Sequence, residues 1–210
     1  MSLLQSGATK SLAASYDIDN SLRFNEADTA YLERTFASAG NRKTWTFSAW
    51  IKRTGPLTDE QTIFGGGSST DANKLAWKAN DNLYYIGDND GSKEIETNAR
   101  FRDPSAWYHV VLRVDTTQST ASDRERIYVN GEEQSLETSN HVDEDFETQI
   151  NSNVTHRIGV RSYSTDQPLG SNLAEVYFID GSSLAPSSFG ETNSTTNQWI
   201  PLDSDDVKDA

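Results

Sequence analysis

The sequence predicts an all-β sandwich or barrel, and three observations carry that expectation. Apolar and polar residues alternate at period two along several runs. Gly, Asn and Asp cluster between those runs, where tight turns need them. No extended window carries the 3.6-residue period of an amphipathic helix.

The runs can be taken in order. Thr44-Trp-Thr-Phe-Ser-Ala-Trp-Ile-Lys puts Trp45, Phe47, Ala49 and Ile51 on one face and Thr46, Ser48, Trp50 and Lys52 on the other. Leu75-Ala-Trp-Lys and Leu83-Tyr-Tyr-Ile flank the turn Asn80-Asp-Asn. Ile86 leads through Gly87-Asp-Asn-Asp-Gly to Lys93-Glu-Ile-Glu-Thr. Tyr108, Val110, Leu112 and Val114 face one way, and His109, Val111 and Arg113 the other. Arg126-Ile-Tyr-Val, Asn130-Gly131 and Glu132-Glu-Gln-Ser-Leu read as strand, turn and strand, because Asn-Gly tolerates the two positive φ angles of a two-residue hairpin loop. Arg157-Ile-Gly-Val-Arg and Leu173-Ala-Glu-Val-Tyr-Phe-Ile-Asp complete the set. The one short helical candidate is Ser183-Leu-Ala-Pro-Ser-Ser-Phe, stopped by Gly190. Residues 1–18, small and polar, read as a flexible N-terminal arm, residues 19–200 as the sandwich, and residues 201–210 as an acidic C-terminal tail.

Composition narrows the function. With 210 residues, one domain is expected. Hydrophobic residues are 34% of the chain, which is lean, but aromatics are 10% and each buries a large area. The formal charge of −14 repels phosphate backbones and anionic headgroups, so neither nucleic acid nor a membrane surface is an expected partner. The absence of cysteine removes disulfides, thiol nucleophiles and zinc–cysteine sites. Three histidines, His109, His141 and His156, make a histidine metal cluster improbable. No apolar run approaches a membrane span, and residues 1–20 hold one Lys and no apolar core of a secretory signal.

At this point a family pattern emerges. Trp107-Tyr-His-Val-Val-Leu-Arg-Val, followed by Arg126-Ile-Tyr-Val-Asn-Gly-Glu, resembles the central strands of laminin-G-like, concanavalin A-like domains. Gly170-Ser-Asn-Leu-Ala-Glu-Val-Tyr-Phe-Ile-Asp-Gly, then Ser183-Leu-Ala-Pro, resembles their last strand and its helical turn. Leu22-Arg-Phe-Asn, Ala30-Tyr-Leu and Trp45-Thr-Phe-Ser-Ala-Trp-Ile-Lys resemble their first strands. The resemblance implies an antiparallel β-sandwich of jelly-roll type. More narrowly, the opening segment together with Ala174-Glu-Val-Tyr-Phe-Ile-Asp-Gly and Ser188-Phe-Gly-Glu resembles lectin-like domains in virion proteins of tailed, especially marine, bacteriophages. That narrower resemblance implies a non-catalytic surface protein of the virion (decoration, appendage or fibre), made in a host cytoplasm. It further implies other virion proteins as partners and a homo-oligomer, a trimer by analogy. The second expectation on the same fold is an adhesin for host surface polysaccharide, and the third is a glycoside hydrolase.

Each expectation points to particular residues. A retaining glycosidase needs two carboxyls about 5 Å apart. The nearest patterns are Glu94-Ile-Glu96, which lacks a third acid, and Asp143-Glu-Asp-Phe-Glu147, which reads as a solvated loop. Gly65-Gly-Gly-Ser reads as a mobile turn or bulge, without the Lys of a phosphate loop. Asp88-Asn89-Asp90-Gly91 spaces oxygen ligands as calcium loops do and makes Ca2+ the candidate cofactor, although a hairpin turn needs no metal. Asp71, Asp81 and Asp166 are further loop acids. For a glycan, Trp77, Tyr84 and Tyr163 are the candidate stacking platforms, and Asp166 and Gln167 the candidate partners for hydroxyls. Trp45, Trp50, Trp77 and Trp107 lie in strands and suit packing equally well, which leaves Tyr163 as the best loop aromatic.

Overall fold

The alternating runs become strands, although of Arg157-Ile-Gly-Val-Arg only the part to Ile158 does. The structure, a computed structural model, describes residues 16, 18–88 and 90–208. Its strands are β1 (Leu22–Phe24), β2 (Leu32–Thr35), β3 (Thr44–Arg53), β4 (Gln61–Ser68), β5 (Asp71–Trp77), β6 (Asn82–Ile86), β7 (Glu94–Arg100) and β8 (Tyr108–Asp115). They continue with β9 (Glu125–Val129), β10 (Glu132–Glu133), β11 (Leu136–Ser139), β12 (Thr155–Ile158), β13 (Ser171–Asp180), β14 (Gly190–Thr192) and β15 (Trp199–Pro201). One sheet has six strands in the order β1-β13-β3-β8-β9-β10, and the other has seven in the order β11-β7-β6-β5-β4-β12-β2. Every pairing among the described strands is antiparallel.

The core lies between these sheets. Trp45, Phe47, Ala49, Ile51, Val110, Leu112 and Val114 reach it from the six-stranded sheet, and Ile63, Leu75, Trp77, Leu83, Tyr85 and Ile95 from the other. Phe47 and Phe64 stack across the gap at 4.8 Å. Each large apolar side chain taken fully out of water stabilises the fold by about 2–3 kcal/mol. The Asn-Gly hairpin forms between β9 and β10, with Asn130 at φ 51° and Gly131 at φ 82°. Gly65, Gly66 and Gly67 lie inside β4 rather than in a turn. The reason is space: a Cβ on Gly66 would sit 2.7 Å from the His156 ring on the neighbouring β12.

The outer face of the six-stranded sheet is also buried. The expected helical segment is a single 3-10 turn, Pro186–Ser188. Together with β14, β15 and the short helix α1 of this cover (Ser204–Lys208), it carries Phe189, Leu202 and Val207 onto Val111 and Tyr128. The acidic stretch 201–210 is therefore not a free tail over its described part, because Leu202 and Val207 are its apolar anchors. Trp199 closes the cover. Its indole N–H donates to His109 Nδ1 at 2.9 Å, and His109 in turn donates from Nε2 to Ser48 Oγ at 2.9 Å. The imidazole lies stacked between Trp50 and Trp199. Of the expected arm, residues 1–15 and 17 lie outside the described residues, and Tyr16 donates its hydroxyl hydrogen to Glu175 at 3.0 Å. No described helix is long and apolar enough to cross a membrane.

Candidate functional site

Alternation in β5 decides what the outer face of the seven-stranded sheet presents. Because Leu75 and Trp77 point inward, Lys74, Ala76 and Lys78 point outward. Tyr84 lies beside Ala76 in register, also outward, and Glu96 pairs with Tyr84 from β7. Among the described residues no helix or strand covers this face. Long polar side chains seal it instead: the Lys74 and Lys78 ammonium groups sit 5.3 and 4.9 Å from the Tyr84 ring centroid.

One glutamine ties the loop 161–167 to this face. Gln167 is held at φ 58°, and its Oε1 accepts from Lys74 Nζ at 2.9 Å, Arg161 Nε at 2.9 Å and Thr62 Oγ1 at 3.2 Å. Its Nε2 donates to Glu60, which also pairs with Lys74 at 2.9 Å. Burial alone would raise the Glu60 carboxyl, but the Lys74 contact outweighs it and holds the group below the ordinary carboxylate value. Burial lowers Lys74, and Glu60 restores only part of that loss.

Above this network lies a cleft of about 190 Å3, lined by Ser69, Asn73, Lys74, Ile86, Asp90, Gly91, Arg161 and Tyr163 among others. Tyr163 is 39% exposed, and the Arg161 guanidinium carbon lies 5.6 Å from its ring centroid. The arrangement offers an aromatic face, two cations and an acceptor carboxylate within one small concavity. That is the equipment for stacking on a sugar ring and hydrogen-bonding its substituents.

The sequence candidates divide accordingly. Tyr163 lines this cleft, and Gln167 lies in the hydrogen-bond network beside it. Asp166 closes the loop beneath it, its Oδ2 accepting from Ser164 Oγ at 3.0 Å. Trp77 is 0% exposed and packs against Phe101 and Tyr108 in the core, so it is no platform. Tyr84, 1% exposed beneath two lysines, does not line the cleft and is no platform. Lys74 and Arg161 were missed. Lys74 could have been found from the alternation around Leu75, whereas nothing local in the sequence brings Arg161 to it.

The Asp88–Asp90 turn does not assemble a calcium shell from the described residues. Asp88 Oδ2 accepts from Ser92 N and Oγ, and Asp90 Oδ1 accepts from Ser92 N at 2.9 Å. Only Asp88 Oδ1 is buried without a partner, against the six to eight oxygens calcium takes. Asn89 lies outside the described residues. No three His, Asp or Glu side chains gather to hold a metal among the described residues.

The acid patterns are likewise occupied. Lys78 bridges Glu94 at 2.6 Å and Glu96 at 2.7 Å. Burial opposes its charge, but those two hydrogen bonds outweigh that effect and raise its pKa. Both carboxylates are thereby occupied by one ammonium group. The acids of 143–147 pair with Lys93, Arg124, Lys43 and Arg42 in an irregular, largely exposed loop.

A second cleft, of about 540 Å3, opens at the edge formed by β2 and β12 over Phe36, Phe64 and Phe178. Its His156, Asn151 and Asp180 side chains are engaged with one another or with backbone. His156 donates from Nδ1 to Val154 O and accepts at Nε2 from Asn151 N, and Asp180 accepts from Asn41 N and Asn151 Nδ2.

Comparison with known proteins places these features in a family. The family model described as the concanavalin A-like lectin/glucanases superfamily matches residues 24–188. No curated protein matches the chain in sequence. Among solved structures, Trypanosoma rangeli sialidase in complex with the inhibitor DANA aligns at 14% identity and a TM-score of 0.54, over 92% of this chain and 27% of that one. The CBM40 of Ruminococcus gnavus IT-sialidase aligns at 11% identity and a TM-score of 0.53, over 76% and 95% of the two chains. The heptameric SAP-like pentraxin from Limulus polyphemus aligns at 16% identity and a TM-score of 0.49, over 78% and 73%. At such identities the likeness is one of fold, a jelly-roll sandwich with helix confined to short turns.

Proposed function

The chain belongs to the concanavalin A-like lectin/glucanases superfamily, and from that premise we propose that it is a non-catalytic glycan-binding domain. The observation that carries this reading is the cleft at Tyr163, where an exposed aromatic ring stands over polar groups fixed by Gln167. The non-catalytic half rests on Glu94 and Glu96, both tied to one lysine. Its setting in this proposal is the surface of a tailed-phage virion, as a decoration, appendage or fibre domain that engages host polysaccharide. The support for that setting is the resemblance of the opening and closing motifs. Docking through the covered face would leave the Tyr163 face outward. Finding the chain by mass spectrometry in purified particles supports the setting, and its absence from them contradicts it.

The test of glycan binding is an array of bacterial surface polysaccharides probed with the chain and with Tyr163→Ala. Saturable binding to at least one glycan, lost in Tyr163→Ala at unchanged thermal stability, is expected. No binding across the array, or binding indifferent to Tyr163→Ala, overturns it.

A further inference from the structure

Of the two cations that line the Tyr163 cleft, Lys74 is paired with Glu60, whereas Arg161 makes no ion pair among the described residues. The chain carries 32 acidic residues against 18 Lys and Arg, and most of its described cations are spent on neighbouring carboxylates. Arg161 is not, among the described residues: its side chain donates from Nε to the amide oxygen of Gln167, and its guanidinium carbon lies 5.6 Å from the Tyr163 ring centroid. Its two terminal nitrogens have no hydrogen-bond acceptor among the described residues. Gln167 holds the guanidinium by one edge, and that fixes the direction of the free fork. Lys74, on the same lining, is paired with Glu60, and burial together with Arg161 still lowers its pKa, so the pair leaves positive charge on this wall only in part compensated.

A neutral sugar needs none of this. Hydroxyls are served by amides, carboxylates and hydroxyls, and a half-buried unpaired cation costs desolvation that a hydroxyl repays poorly. A planar, pre-oriented guanidinium fork beside an aromatic face matches a carboxylate, with two parallel hydrogen bonds and charge assistance. Exposed Asp90, on the same lining, offers an acceptor for hydroxyls.

We infer that the cleft selects a carboxylate-bearing sugar, with the Arg161 fork on the carboxylate, Lys74 supplying charge, and the ring stacked on Tyr163. This rests on the glycan-binding reading and sharpens it to an acidic saccharide. The long-range field of the chain repels such a ligand, so recognition depends on short-range contacts, and added salt weakens it little.

The experiment is a competition on the chain immobilised whole, with free glucuronic acid, N-acetylneuraminic acid, glucose, N-acetylglucosamine and glucose 6-sulfate as probes. The inference predicts that an acidic sugar binds and its neutral counterpart does not. It also predicts that Arg161→Gln weakens the acidic sugar about tenfold or more, with Arg161→Lys intermediate because a point charge cannot form the fork. Carboxyl-reduced polysaccharide should lose binding. Binding of neutral sugars at a site that Tyr163→Ala abolishes but Arg161→Gln leaves intact overturns the inference while the glycan reading stands. Preference for the sulfate ester over both carboxylates also overturns it. Binding of no saccharide at all overturns the glycan reading itself.

Discussion

On the outer face of the six-stranded sheet, Ser48, Trp50, His109 and Val111 lie beneath a cover built from residues 184–207. On the outer face of the seven-stranded sheet, Thr62, Ala76 and Tyr84 are just as dry, but what dries them is a lattice of Lys74, Lys78, Glu60, Glu96 and Gln167. The first face is closed by apolar burial, which is non-directional and robust. The second is closed by hydrogen bonds between long side chains that a ligand can reach. A sandwich with two chemically identical sheets would have no preferred side for recognition. Here the C-terminal cover closes one side by apolar burial, and the proposed glycan site lies on the other.

Substitutions separate the two roles, and the covered face should show the largest effects. Phe189→Ala, in the second apolar cluster, is expected to cost about 3–4 kcal/mol, read by denaturant unfolding, without altering binding to any glycan the chain recognises. Gly131→Ala should be costly for two reasons: its φ is 82°, and an added Cβ would sit 2.5 Å from the Trp199 ring. The strain and the displaced indole together are expected to take about 2–3 kcal/mol. A neutral Gly131→Ala would mean that Trp199 is not a fixed part of the cover.

The next effect is on pH dependence. Burial pushes the His109 pKa down to about 3 from the ordinary 6.5. The unfolded chain therefore binds the extra proton, and stability falls as pH drops from about 6.5 toward 3, by at most about 1.4 kcal/mol per unit. Burial lowers His156 as well, so it adds to the same loss. Glu60, held below its ordinary value, contributes stability that is lost only at lower pH, as acid protonates it. His109→Gln, which keeps a polar group at the site, should flatten the slope of thermal stability between pH 6.5 and 4.5. An unchanged slope would assign the acid lability elsewhere.

On the open face, Lys78→Met should cost about 1–2 kcal/mol, because Glu94 and Glu96 would then face each other without a cation. Smallest of all in stability is Tyr163→Ala, expected within about 0.5 kcal/mol, although it removes the stacking surface. EDTA should move neither the melting temperature nor the affinity, because the Asp88 and Asp90 carboxylates are engaged with Ser92. A fall in either would place an ion at Asp88 Oδ1.

The two faces also differ in how far the sequence foretold them. The inward residues of β3 and β8 follow from alternation alone, and so does the Asn130-Gly131 hairpin. Alternation reports that a strand has two faces, not that both are buried. Trp50 and Val111 on the supposedly polar face were the available hint of a cover. The cover itself was illegible because Leu184, Phe189, Trp199, Leu202 and Val207 recur at no fixed period. In the site, Tyr163 was legible as an aromatic in a polar loop. Trp77 and Tyr84 misled because lying beside a polar loop says nothing of which way a strand side chain points, while the phase set by Leu75 turns Trp77 inward. Arg161 and Lys74 meet only through Gln167, a contact that tertiary structure alone creates.

The most direct test of the division between the faces is amide hydrogen exchange of the whole chain, alone and in saturating polysaccharide from the array. The account predicts slowed exchange across residues 86–91 and 161–167, with no change in residues 189–202. Slowing confined to residues 189–202, or no change anywhere at saturating concentration, would contradict it.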